Sequence, residues 1–137
     1  MPPQLSAMLS ALGVSASPGE FAAVEALLGG SFSGLSEIRH DPVALVDAVD
    51  MTPQEIRDWL AGLPVGRQAV VRVAWVADRL GASMSFGTFT DNVDDLWFPA
   101  MDDVVSVLQC GSRFMVLVLD HEELITFSSV NAAQEAE

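Results

Sequence analysis

Apolar positions in the first half of the chain recur at three- and four-residue intervals. Leu5, Met8, Leu9 and Leu12 share one helical face, which Gly13 closes. Ser17-Pro18-Gly19-Glu20 reads as a helix start: a capping serine, a proline suited to the first turn, and a glutamate that completes a capping box. Phe21, Val24, Leu27 and Leu28 then form an apolar stripe that ends at Gly29-Gly30. Asp41-Pro42 repeats the start signal ahead of Val43, Val46 and Val49. Thr52-Pro53-Gln54-Glu55 is a second capping box, followed by Ile56, Trp59, Leu60 and Leu63 and stopped by Gly62 and Pro64. Residues 66–80 give the longest expected helix, with Val70, Val73, Ala74, Ala77 and Leu80 on one face, widened by Val71, Trp75 and Val76. Their β-branched content makes a strand the alternative.

Beyond Gly81 the period changes to two. Met84, Phe86, Thr88 and Thr90 alternate with Ser85, Gly87 and Phe89, which predicts a strand near 83–90. Residues 91–103 read as an acidic loop around Leu96-Trp97-Phe98-Pro99. Val104–Cys110 and Arg113–Leu119 flank Gly111-Ser112, a spacing that suits a type II′ hairpin turn. Leu124–Ser128 reads as the next strand of a meander. The hairpin sets a register in which Val104 faces Leu119, Ser106 faces Leu117 and Leu108 faces Met115, with Val105–Val118, Val107–Val116 and Gln109–Phe114 on the other side. Both faces are then apolar, where a sheet with one wet face would alternate. Strand 113–119 is therefore expected inside the sheet, with cover on both faces. The N-terminal helices supply one cover; the remaining helices or a second copy supply the other, so a homodimer is among the expected arrangements.

Together these elements predict one α+β domain over residues 1–137. Helices run to about residue 80 and pack on a small, mainly antiparallel C-terminal β-meander, and residues 131–137 are a frayed tail.

Composition narrows the chemistry. There are 19 acids against six arginines, no lysine and no tyrosine, for a net charge of −13. Residues 1–90 carry nine acids and five arginines (net −4); residues 91–137 carry ten acids and one arginine (net −9). Such a field repels phosphate backbones and anionic membranes, so neither nucleic acid nor membrane is an expected partner, whereas a basic protein is. Without lysine there is no Walker A loop, Schiff base or pyridoxal anchor, and no cofactor is expected. One cysteine, Cys110, excludes an intrachain disulfide and fits a cytoplasmic address. No basic, then apolar, leader pattern is present, and the longest apolar runs are about six residues, short of the roughly 20 that span a bilayer. The bias toward Ala, Val, Gly and Arg suggests a GC-rich bacterial source.

Several clusters are candidates for function. Asp120-His121-Glu122-Glu123 is the densest, and the hairpin register puts His121 opposite Asp102. Asp102, Asp103, His121 and Glu122 could seat a metal or serve a hydrolase as acid and base; charge pairing at a solvated strand end is the plainer reading. Cys110 and His121 stand on the order of 30 Å apart along the hairpin, so only His40 could pair with the thiol. Gly29–Gly34 follows a helix instead of preceding one, which suits a helix stop better than a phosphate loop. The paired acids Asp94-Asp95, Asp102-Asp103 and Glu122-Glu123 lack calcium-loop spacing. The preferred candidate is the stretch Asp94-Asp95-Leu96-Trp97-Phe98-Pro99 with Asp102 and Asp103, where aromatic anchors ringed by charge resemble an interaction hot spot. Trp97 and Phe98 could instead plug the space between helices and sheet. The expected function is a non-catalytic module that binds and masks a basic or apolar partner, as small acidic immunity proteins and secretion chaperones do by analogy of charge and size. A metal-binding protein or hydrolase, and a self-associating structural subunit, are the alternatives.

Overall fold

A computed structural model describes residues 2–28, 44–100, 103–110, 113–120 and 124–131. The elements are α1 (Pro3–Ala11), α2 (Pro18–Leu27), β1 (Ala44–Asp47), α3 (Pro53–Ala61), β2 (Val70–Trp75), β3 (Leu80–Ser85), α4 (Phe86–Asp91), α5 (Val93–Trp97), β4 (Val104–Cys110), β5 (Arg113–Leu119) and β6 (Leu124–Asn131). The six strands form one antiparallel sheet in the order β1-β6-β5-β4-β2-β3. The fold is α+β.

The register of β4 against β5 is the one the hairpin dictates, from Val104 opposite Leu119 to Cys110 opposite Arg113. The turn residues Gly111 and Ser112 lie outside the described residues. β5 is interior, flanked by β4 and β6, and apolar side chains leave it in both directions. On one face Val104, Leu117, Leu119, Ile125 and Phe127 join Val71, Val73 and Trp75 of β2 beneath α1, α3, α4 and α5. On the other, Val105, Val107, Val116 and Val118 join Ala74 beneath Phe21 and Val24 of α2. Val105, Val107, Val116 and Val118 are all buried within a single chain, so two-sided burial of β4 and β5 does not call for a second copy.

Three elements differ from the sequence reading. Residues 66–80 are not a helix: β2, a turn over 76–79 and the start of β3 occupy them. β2 buries Val71, Val73 and Trp75 on one face and Ala74 on the other, and that mixed pattern mimics a helical stripe. The strand expected over 83–90 stops at Ser85, which caps α4: its hydroxyl accepts from Thr88 N at 3.1 Å. Phe86, Phe89, Thr90 and Val93 are all buried, at the i, i+3, i+4, i+7 spacing of a helix. The stripe Val43–Val49 is strand β1 over Ala44–Asp47, paired with β6; Asp41, Pro42, Val43, the glycines at 29–34 and the tail beyond Asn131 lie outside the described residues.

The two expected capping boxes also part company. Thr52 and Glu55 exchange both bonds, Glu55 N to Thr52 Oγ1 at 3.1 Å and Thr52 N to Glu55 Oε1 at 2.8 Å. Ser17 accepts from Glu20 N at 3.2 Å, but the Glu20 carboxylate turns to the sheet, where Oε1 accepts from Ser83 Oγ at 3.1 Å and from Arg72 Nη1 at 3.2 Å. Its role is to pin α2 to β2 and β3. Backbone closes the same seam: Ser17 N donates to Gly81 O at 2.8 Å and Gly81 N to Ser17 O at 3.0 Å. A β-carbon on Gly81 would stand 2.7 Å from Phe21 N and 2.9 Å from Val73 O. Gly81→Ala is expected to lower stability by about 1–3 kcal/mol through this overlap with rigid backbone. A denaturant melt checks it, and an unchanged midpoint would mean that α2 does not pack as closely as described.

Candidate functional site

The segment 91–103, expected as a loop, carries the last residue of α4 and the helix α5 over Val93–Trp97. α4 ends at Asp91, and Asn92 joins it to α5, its side-chain amide donating to Thr88 O at 2.9 Å. Isolated helices of five or six residues do not hold in water, so packing must fix these. Val93, Leu96 and Trp97 point into the core and are buried. Trp75, at the end of β2, is also buried, and its indole N–H donates to Leu96 O at 2.9 Å. That bond ties α5 to the sheet through a carbonyl that a helix terminus leaves without a helical partner.

With one side of α5 fixed, Asp94, Asp95 and Phe98 come to the outer side. Trp97 is 4 % exposed and Phe98 48 % exposed, though their rings lie 5.4 Å apart between centroids. Trp97 is thus a core residue, and Phe98 is the aromatic that meets solvent. Asp94 pairs with Arg57 of α3 at 2.6 Å, in a half-buried setting. Arg57 also donates to Gln54 Oε1 at 3.1 Å, and Gln54 in turn donates to Asp58 Oδ1 at 2.8 Å. Asp95 is exposed. Asp103 leads into β4, its carbonyl accepting from Val76 N at 3.2 Å. Asp102, His121, Glu122 and Glu123 lie outside the described residues, as does His40. Among the described residues no three metal-ligating side chains come together.

A second charge pair borders α4. Arg67 grips Asp91 with two bonds, Nη1 to Oδ1 at 3.2 Å and Nη2 to Oδ2 at 2.7 Å. The guanidinium lies over Gly87, where a β-carbon would stand 3.0 Å from Nη2. Backbone bonds complete the clasp, Gly87 N to Arg67 O at 2.9 Å and Phe86 N to Ala69 O at 2.7 Å. The Arg67 hydrogen bond and charge hold the Asp91 carboxyl below its ordinary range.

Three concave features border the described residues. An apolar slot between Val65, Phe86 and the sheet, with Ser106 and Met115 on its floor, has about 10 Å³ of free space, room for about one water. A wider depression of about 350 Å³ lies between α1 and residues 14–16, and one of about 220 Å³ lies beside Leu27, Val70 and Arg72. Neither brings a nucleophile and a base together. No helix among the described residues is long and apolar enough to cross a membrane. No protein-family model, no curated protein and no solved structure matches the chain.

Two outcomes follow for this region. Trp97→Ala is expected to cost about 3–5 kcal/mol as a core truncation, while Phe98→Ala changes stability by about 0.5 kcal/mol or less; parallel melts separate the two neighbours. Because Asp91 has a lowered folded-state pKa, its stabilising contribution is present above the ordinary carboxylate range and disappears as the pH falls through the lowered value. The melting difference between the native chain and Asp91→Asn is therefore expected near neutrality, small because the pair is exposed, and absent in strong acid.

Proposed function

We propose that this chain is a non-catalytic protein-binding module that masks or inhibits a basic or apolar partner, with the outer side of α5 as its contact surface. One observation carries the reading. Phe98 holds its ring half in water on a helix whose inner side is locked into the core, and Asp94 and Asp95 stand one turn before it. An aromatic side chain on a rigid support loses little freedom on binding, and surrounding charge orients the encounter.

The sign of the partner follows from electrostatics. The α3–α5 surface holds Glu55, Asp58, Asp91, Asp94 and Asp95 against Arg57 and Arg67, within a chain of net charge −13. The resulting field attracts a basic protein and disfavours nucleic acid and anionic membranes. A lone cysteine fits a reducing, cytoplasmic compartment. Arg57 sharpens the surface: it takes up Asp94 and leaves exposed Asp95 beside Phe98, so the local charge is borne by one carboxylate next to one ring.

The test is affinity capture from a bacterial lysate at low and high salt, with the native chain and Phe98→Ala side by side. The expected result is a basic protein held at low salt, released at high salt, and bound more weakly by Phe98→Ala by about 2 kcal/mol. A partner held equally well by both chains would overturn the role given to α5.

A further inference from the structure

Helix α2 carries a complete three-part contact. The Arg79 guanidinium lies over the Phe21 ring, 4.9 Å from its centroid. The same guanidinium reaches Glu25, Nη2 to Oε1 at 3.9 Å. Phe21 and Glu25 stand four residues apart on α2 and so occupy neighbouring positions of one helix face. α5 presents a ring and a carboxylate in a comparable relation. Asp95 and Phe98 are three residues apart. Phe98 keeps helical backbone angles (φ −60°, ψ −38°) and its N–H donates to Asp94 O at 3.0 Å, so these two are neighbours as well. Both are exposed. What α5 lacks is the cation. Among the described residues the Asp95 carboxylate enters no ion pair or hydrogen bond. Arg57, Arg67, Arg72 and Arg79 each hold another carboxylate, and the chain has no lysine.

We propose that the outer side of α5 selects arginine over lysine on its basic partner, the guanidinium lying on the Phe98 ring while its N–H groups pair with Asp95. The inference rests on the α5 surface proposed above and names the side chain that surface reads. A guanidinium is flat and weakly hydrated, so it covers a ring with its face and donates, in its own plane, to a carboxylate beside that ring. An ammonium is compact and strongly hydrated, and it meets Asp95 as a point charge without covering the ring. Arg57 sets the count: it takes Asp94 at 2.6 Å and leaves one carboxylate to one ring, as Glu25 stands to Phe21. A second copy of this chain is a poor source of the arginine, since two bodies of net charge −13 repel each other. A basic partner gains from the same field.

The probes are a capped serine–glycine peptide with arginine at alternate positions and its twin of equal charge with lysine. Each is titrated into the isotope-labelled chain in about 0.15 M salt, where the general field is screened beyond about 8 Å, and amide shifts are followed. The expected result is shift changes centred on residues 94–98, with the arginine peptide bound about two- to fivefold more tightly than the lysine peptide. Phe98→Leu keeps apolar bulk without a ring face and is expected to erase that ratio. Asp95→Asn is expected to weaken both peptides. Shifts at 94–98 with equal affinity for the two peptides, or a ratio that survives Phe98→Leu, would overturn the choice of arginine while leaving α5 as the contact surface for a basic partner. Shifts centred elsewhere, or no binding, would overturn it too; the lysate capture with Phe98→Ala then decides separately whether α5 serves a partner at all.

Discussion

Strands β4 and β5 place valine and leucine on both faces, and a sheet so built cannot leave either face in water. At roughly 25 cal/mol per Å² of apolar area, each side chain such as Val116 or Leu117 gains on the order of 1.5–3 kcal/mol from cover. The chain meets the demand on both sides. Helix α2 lies over Ala74 and the valines of one face, and α1, α3, α4 and α5 lie over the other. Placing α2 on the far side requires a close approach of its N-terminus to β3, which is why Gly81, Ser17 and the turned carboxylate of Glu20 concentrate there.

The same demand positions the candidate surface. Short helices α4 and α5 stand only because their inner residues fill the gap above β2 and β4. The Trp75 indole converts that packing into a fixed orientation by holding Leu96 O. Once Val93, Leu96 and Trp97 are committed to the core, a five-residue helix has little left to present but Asp94 and Asp95, with Phe98 at its end. The exposed ring is therefore a consequence of core geometry, and its acidic neighbours are what the remaining turn can offer to water.

Much of the fold was legible in the sequence where local and global signals agree. The β4–β5 register followed from hairpin length, and the burial of β5 from apolar residues on both faces. α1 and α3 followed from stripe and cap. Residues 66–80 misled because the face of β2 that carries exposed Val70 and Arg72 also carries buried Ala74, so apolar Val70 and Ala74 blur the period of two and Ala74 between Val73 and Trp75 supplies a false helical one. Residues 83–90 misled for the opposite reason. Ser85 switches the chain from strand to helix without a break, so Met84 and Phe86 look alternate although they belong to different elements. At the candidate surface the sequence marked the segment but could not divide it. Trp97 and Phe98 are equivalent in composition, and only the rotation of α5 about its axis sends one ring inward and the other out. Arg57, which neutralises Asp94, stands 37 residues away, and no short-range pattern announces the pair.

Charge then ranks what such a surface can meet. A single exposed phenylalanine is too little apolar area to hold a partner by itself, and a field without an anchor gives encounter without residence. On the proposed reading α5 joins the two: Asp95 would steer and Phe98 would hold once water is displaced. A basic partner that used only the acidic field would exchange rapidly and without selectivity. One that also engaged the Phe98 ring would be held by shape, and the −13 charge would act on its rate of arrival more than on its release.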